Sequence, residues 1–372
     1  MRRIREVACT VLVLVALSVP ASASGALSHY VAAGATAASS NEHLSLEFLG
    51  VTCTSPHFCL LIGERVVVDR RGDEIGMKGG EVFWSDAPAG GRETWRAVDV
   101  GARTGFGGFT GPVACPSSRL CVAAGGGGSA LVTTDDPTRA KTWSPATIPG
   151  YPDGVDEMSC SSQTLCVATD GGELLDSTMP VGGAQRWDAV GPLDPNLQIS
   201  GLSCVSTHLC VAVDNYGNVL ESTEPTNLYD WHKHFISSGA SLYDVSCSSR
   251  TLCIASNSAN AIVVSTDPTG DRHAWSVGRP LVKDHDHAFY AVTCTSNSLC
   301  AALDETGGEV FTSSRPTAQA LPWRASVLGS GLDGVACPSV RLCLVSSRDG
   351  LVYTSTNPGA RSPRWTEARF VN

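Results

Sequence analysis

Leu202-Ser203-Cys204-Val205-Ser206-Thr207-His208-Leu209-Cys210-Val211-Ala212-Val213-Asp214-Asn215-Tyr216-Gly217-Asn218-Val219-Leu220-Glu221-Ser222 is the stretch whose reading decides the fold. It holds three short apolar runs, at 202–204, 209–213 and 218–222. A polar turn separates the first two, and a turn ending in Gly217 separates the next. Pro225 stops the third run and Trp231 opens a fourth. Short runs at this spacing, divided by turn residues, predict a four-stranded antiparallel meander. Cys204 and Cys210 sit where they face each other across the first hairpin.

Working outward, the same unit is written seven times. Cys53 pairs with Cys59, Cys115 with Cys121, Cys160 with Cys166, Cys204 with Cys210, Cys247 with Cys253, Cys294 with Cys300 and Cys337 with Cys343, all as Cys-x5-Cys. The position two before each first cysteine is apolar: Val51, Val113, Met158, Leu202, Val245, Val292 and Val335. Period-two alternation puts it on the cysteine's face. A proline closes each third strand (Pro88, Pro137, Pro180, Pro225, Pro268, Pro316, Pro358). A tryptophan follows each proline: Trp95, Trp143, Trp187, Trp231, Trp275, Trp323 and Trp365. Only Trp84 falls outside this register. Seven four-stranded units predict an all-β, seven-bladed β-propeller over residues 44–372. Second strands are small on one face, as in Cys121-x-Ala123 and Cys210-x-Ala212, which would let blades pack closely. Closure is expected from packing of blade one on blade seven, or from a strand at 43–48 added to the last blade.

The fifteenth cysteine, Cys9, lies in an N-terminal segment with a basic start, a thirteen-residue apolar run from Val7 to Val19, and Ala21-Ser22-Ala23. This reads as a signal peptide over 1–23, followed by a flexible Ala/Ser/Gly lead-in over 24–43. An exported chain with an even number of cysteines is expected to be oxidised, with one disulfide per blade. Zinc would need closer pairs converging on one ion, and no Cys-x-x-Cys occurs. Removing three Arg and one Glu takes the formal charge from -10 to -12. That acidity, without a basic run, argues against nucleic acid as a partner. No stretch has the length of a transmembrane segment. A monomer without cofactors is expected.

The corner after the third strand carries a family resemblance. Ser265-Thr266-Asp267-Pro268-Thr269-Gly270 with Trp275 resembles the Asp-box, or BNR repeat, and Thr134-Asp135-Asp136-Pro137 with Trp143 follows it. The other corners put Ala87, Met179, Glu224, Arg315 and Asn357 at the aspartate. The chain is thus similar to Asp-box propellers of the sialidase-like superfamily, including those resembling photosystem II assembly factors. The resemblance implies that this corner is structural and lies away from any site. It also implies what a sialidase would need: an arginine triad, a tyrosine–glutamate pair and an acid/base aspartate. Tyr216, Tyr243, Tyr290 and Tyr353 sit instead in repeat positions or turns, and the only Arg-Ile pairing is in the signal segment.

Departures from the repeat are the remaining candidates. The first unit is longer than the rest, with its extra residues between strands two and three. There and in the following connection, Arg65, Arg70, Arg71, Asp73, Arg103 and Phe106 form a candidate binding rim for a protein or a glycan. Glu157 and Asp244 both precede a first-strand core residue, so a channel could juxtapose them as glycosidase-type carboxylates. Asp284-His285-Asp286-His287 and the pair His232 and His234 are weighed as metal ligands and read as polar loop and strand edge. The reading is a secreted, non-enzymatic binding or scaffold propeller at or outside the cell envelope; the alternative is a glycoside hydrolase or lyase using channel carboxylates. Non-reducing peptide mapping of the secreted protein should find no free thiol and only bridges within a blade; one interblade linkage would break this pairing.

Overall fold

A computed structural model describes residues 43–370, apart from 72–73, 102–107, 126–130, 147, 149–154, 183–185, 194–197, 237–239, 283–287 and 318–322. The expected signal peptide lies outside the described residues. So does the lead-in except His43, which begins the first strand.

Seven four-stranded antiparallel sheets follow one another, each built from four consecutive strands. The molecule is a seven-bladed β-propeller. In blade four the strands are Ile199–Ser206, Leu209–Asp214, Asn218–Ser222 and His232–Phe235. The first is longer than its apolar run because a bulge near Gly201 carries pairing on to Ile199 and Asp214. First strands adjoin one another around the ring and line the channel.

Each blade holds one disulfide across its first hairpin. Cys53 is bonded to Cys59, Cys115 to Cys121, Cys160 to Cys166 and Cys204 to Cys210. Cys247 is bonded to Cys253, Cys294 to Cys300 and Cys337 to Cys343. Their Cα atoms stand 3.9–4.1 Å apart across the hairpin. The two members of a bridge differ in setting. Cys59, Cys121, Cys166, Cys210, Cys253, Cys300 and Cys343 lie on second strands and are wholly buried. Their partners on the first strands stand nearer the channel, and four of them line its opening. None of the fourteen belongs to a ligand-holding cluster; the bridges are structural.

The apolar core is divided among the seven blade interfaces. Cys210 and Ala212 of blade four pack against Leu165, Val167 and Leu174 of blade three. Leu209, Val211 and Val213, on the other face of the same strand, pack against blade five. The second strand is therefore a two-faced element: a small Cys-x-Ala face turned back, a branched face turned forward. Ala123, Ala168, Ala255 and Ala302 repeat the arrangement beside Cys121, Cys166, Cys253 and Cys300. Blades one and seven place Leu61 and Val345 at that position instead, beside Cys59 and Cys343. Each blade's tryptophan packs into the interface with the preceding blade. Trp143 and Trp231 donate their indole N–H to the carbonyls of Pro137 and Pro225, which ties proline and tryptophan of one corner together.

Hydroxyls, serine everywhere except Thr134 in blade two, shape both turns on the cysteine side of each blade. The serine two after each first cysteine accepts the N–H two residues on, in all seven blades. At the third-to-fourth corner, Ser85, Thr134, Ser177, Ser222, Ser265, Ser313 and Ser355 do the same. The hydroxyl, not the aspartate of the Asp-box, is thus common to every corner, and this is why the aspartate can be replaced. Asp136 accepts the N–H of Thr138. In blade four, Asp230 supplies a carboxylate from further along, accepting from Thr223 and Glu224 at 2.8 Å each.

Closure uses the same physics as the other interfaces. Residues 43–48 do not join blade seven: they pair with 63–68 of their own blade. This removes the added-strand alternative, because the long second strand of blade one satisfies that edge. Phe370 instead docks on blade one, with ring centroids 5.2 Å from Phe48, 5.4 Å from Phe83 and 6.0 Å from Trp95. The Arg92 guanidinium covers the Phe370 ring at 4.6 Å. Truncating this anchor in Phe370→Ala should cost about 3–5 kcal/mol in urea unfolding, whereas a value near zero would mean the ring is held closed by other contacts.

Candidate functional site at the channel mouth

The chain path sorts the loops onto two rims. First-to-second and third-to-fourth turns share one rim, and they carry the disulfides and serine turns. Its channel opening is a cavity of about 600 Å³ lined by Cys53, Cys247, Cys294 and Cys337 with Thr52, Thr54, Thr293 and Thr295. Second-to-third turns and interblade connections form the other rim, where the repeat breaks.

The extra residues of blade one continue its strands. The first three strands are His43–Ser55, Phe58–Val68 and Glu74–Ser85, which rise together as an extended sheet. Arg65 lies on this sheet, its Nε 2.6 Å from Glu81 Oε2. Arg70 and Arg71 are exposed at the hairpin tip, where the N–H of Arg71 donates to Asp69. Asp73, Arg103 and Phe106 lie outside the described residues. The described ends of the following connection do meet the hairpin: a Cβ on Gly101 would stand 3.0 Å from the Gly80 nitrogen, and one on Gly108 would strike the Glu64 carboxylate. Burial pushes the Glu64 carboxyl up to about 7, opposed by the N–H of Phe109 and reinforced by Glu74 and Glu47.

The channel opening on this rim is a cavity of about 350 Å³ whose lining includes Asp156, Glu157, Asp244 and Asp333. One repeat position governs its wall, the residue just before each first-strand core residue. It is Gly50, Pro112, Glu157, Gly201, Asp244, Ala291 and Gly334. Five are uncharged and small, because adjoining first strands come close there. A Cβ on Gly201 would sit 2.7 Å from the Asp244 Cα. Only blades three and five place acids at this level.

The four carboxylates differ in their partners. Asp156 accepts the N–H of Gly171 at 2.8 Å. Asp333 accepts from Arg348 Nε at 3.1 Å. Asp244 accepts the N–H groups of Val245 and, across the blade boundary, Val292, both at 2.7 Å. Burial nevertheless raises it to about 7, with those two N–H groups opposing. The Glu157 side chain has no hydrogen-bond partner among the described residues. Protein surrounds it on nearly every side, although water reaches it along the channel. Burial, then the charges of Asp244 and Asp156, hold its carboxyl well above the usual range.

Sequence reading found Glu157 and Asp244 but missed the aromatics beside them. Tyr243 and Tyr290 stand two before the core residues of blades five and six. Their rings stack at 5.1 Å, and Tyr290 lines the cavity. The signal was available, since one repeat position in adjacent blades becomes adjacent around the ring. The residue before the first cysteine carried another signal. Ser159, Ser203 and Ser246 accept the N–H of Cys204, Cys247 and Cys294 in the next blade at 2.9–3.0 Å.

The metal candidates gain no geometry. Asp284-His285-Asp286-His287 lies outside the described residues. His232 and His234 are on a fourth strand, with His234 Nε2 3.7 Å from Glu221. No group of three or more His, Cys, Asp or Glu residues among those described gathers to hold a metal ion. No described helix is long and apolar enough to cross a membrane.

Fold and site together define a disulfide-bridged seven-bladed propeller with an acidic, tyrosine-edged mouth. No family model and no curated protein matches the chain. Solved propellers do match in structure. YCF48 from Cyanidioschyzon merolae is 14% identical over 86% of this chain and 99% of that one, with a TM-score of 0.58. YCF48 bound to D1 peptide is 12% identical over 84% and 93%, with a TM-score of 0.60. Virginiamycin B lyase from Staphylococcus aureus is 9% identical over 70% and 85%, with a TM-score of 0.56. At these identities the likeness is one of fold.

The raised carboxyls fix a pH dependence. Glu64, Asp244 and Glu221 reach about 7 in the native protein, chiefly through burial. Between the ordinary carboxyl range and neutrality the folded state thus holds protons that the unfolded chain releases, so stability falls as pH rises through this window. The thermal midpoint should drop from about pH 5 to about pH 8, and Glu64→Gln should reduce the drop. A midpoint that rises over this range in calorimetry would contradict the assignment.

Proposed function

We propose that the chain is a secreted, monomeric, non-enzymatic propeller that binds a protein or glycan through the rim bearing the blade-one hairpin and the acidic mouth. One observation carries this reading: the long blade-one hairpin and the channel acids share that rim, while the described turns of the opposite rim repeat one disulfide and two hydroxyl-capped turns in each blade. A fold that preserves structure on one side and varies on the other presents the varied side to a partner. Arg65, Arg70 and Arg71 on the blade-one hairpin extend the candidate surface, and Asp73, Arg103 and Phe106, outside the described residues, are assigned to it from the sequence alone. The seven disulfides suit an oxidising compartment, in keeping with export by a signal peptide at 1–23. YCF48 bound to D1 peptide is a propeller of similar fold holding a peptide, which favours a protein partner.

A second reading rests on Glu157 and Asp244. Glu157, whose carboxyl burial holds above its ordinary range, lines the same cavity as Asp244, which accepts two N–H groups; two carboxyls in such different settings suit an acid paired with a base or nucleophile, as in a glycoside hydrolase or lyase. A glycan array and a polysaccharide turnover screen on the secreted protein separate the two. Binding lost in the double variant Arg70→Glu with Arg71→Glu, with no turnover, is the expected result; turnover abolished by Glu157→Gln would replace the binding module with an enzyme.

A further inference from the structure

Within the channel mouth, four carboxylates converge on one cavity and three are held by protein groups. The fourth, Glu157, is enclosed, lines the cavity and has no partner among the described residues. An enclosed carboxylate beside two further acids is costly, so Glu157 either takes up a proton or meets a cation. The nearest described cation that the acids engage is Arg348, and it is committed to Asp333, with Nη1 3.8 Å from Glu305. Asp244 uses one lone pair on each oxygen for a backbone N–H, so further acceptor capacity remains on both. At the edge, the exposed Tyr290 stacks on Tyr243 and presents a ring face of the kind that attracts ammonium and guanidinium groups. The cavity is of side-chain size, far below that of a folded domain.

We propose that this mouth is a socket for a basic side chain, lysine or arginine, of a protein partner, inserted along the ring axis between blades three and five. Glu157 and Asp244 receive the charge, and Tyr290 covers the stem. This rests on the reading of the rim as a protein-binding surface and adds the chemistry of the inserted group. The acidity of the chain, at a formal -10, favours the approach of such a partner over long range.

The test is a fluorescence-anisotropy titration of the full secreted protein at low salt. The probes are fluorescein-labelled Gly/Ser peptides with one central lysine or arginine, and the same peptide with acetyl-lysine. The lysine and arginine peptides should bind, and acetylation or Glu157→Gln should each weaken binding at least about tenfold. Tyr290→Ala should weaken it by about two- to fivefold. Glu157→Lys, which supplies its own ammonium, should abolish binding, while Glu367→Gln on an outer strand should not change it. Circular dichroism melts of each variant guard against loss of fold. Equal binding of the acetylated peptide, indifference to Glu157→Gln, or no binding of either basic peptide would overturn the socket. If a partner bound by the rim is lost in the Arg70→Glu, Arg71→Glu double variant but kept in Glu157→Gln, the binding module stands and the socket falls.

Discussion

The structure depends on one contact made seven times. One face of a second strand packs into the cysteine-bearing face of the next blade's second strand, which is Cys-x-Ala in five blades, Cys-x-Leu in blade one and Cys-x-Val in blade seven, with a tryptophan sealing the outer part of the seam. Each blade is one repeat unit that cannot bury its apolar faces by itself. Each becomes stable by being covered on both faces, and the ring is the arrangement that leaves no blade uncovered. The seam between blades seven and one obeys the same rule with different residues, gathering Phe48, Phe83 and Phe370 beside Trp95.

The polar groups follow from that packing. Close approach of the first strands leaves room at the channel for glycine, proline or alanine, and side chains that reach further must point along the channel. Hydroxyls then serve the backbone: Ser159, Ser203 and Ser246 bridge blades, and the two serine turns satisfy N–H groups that the tight corners expose. The disulfides close the same short hairpins. They reinforce each blade locally and contribute nothing directly to closing the ring, since none joins two blades.

Against this regular background the acidic mouth stands out for a physical reason. A carboxyl placed between Pro112 and Gly201 gives up much of its water without gaining a partner among the described residues, as Glu157 does. Asp244 solves the same problem by taking N–H groups from two blades. The contrast between two acids at one repeat position, one satisfied and one not, separates structural duty from availability to a ligand. The blade-one hairpin and its arginines stand on the same rim, so a partner reaching the channel meets both.

The sequence by itself determined the number of blades, the strands of each, the disulfide pairing and the two-faced second strand. All are local, set by period-two alternation and spacing within a unit of about forty-five residues. It also pointed to Glu157 and Asp244, because a repeat reveals an odd residue in a fixed position. It did not reveal that Glu157 lacks a partner while Asp244 has two, that Tyr243 stacks on Tyr290, or that residues 43–48 extend blade one. The last rests on pairing of 43–48 with 63–68 inside blade one; the others depend on contacts between blades, forty or more residues apart, and on how closely the first strands approach around the axis. Only the closed ring sets that distance, so only the tertiary structure could decide which channel carboxyl is held and which is left facing the opening.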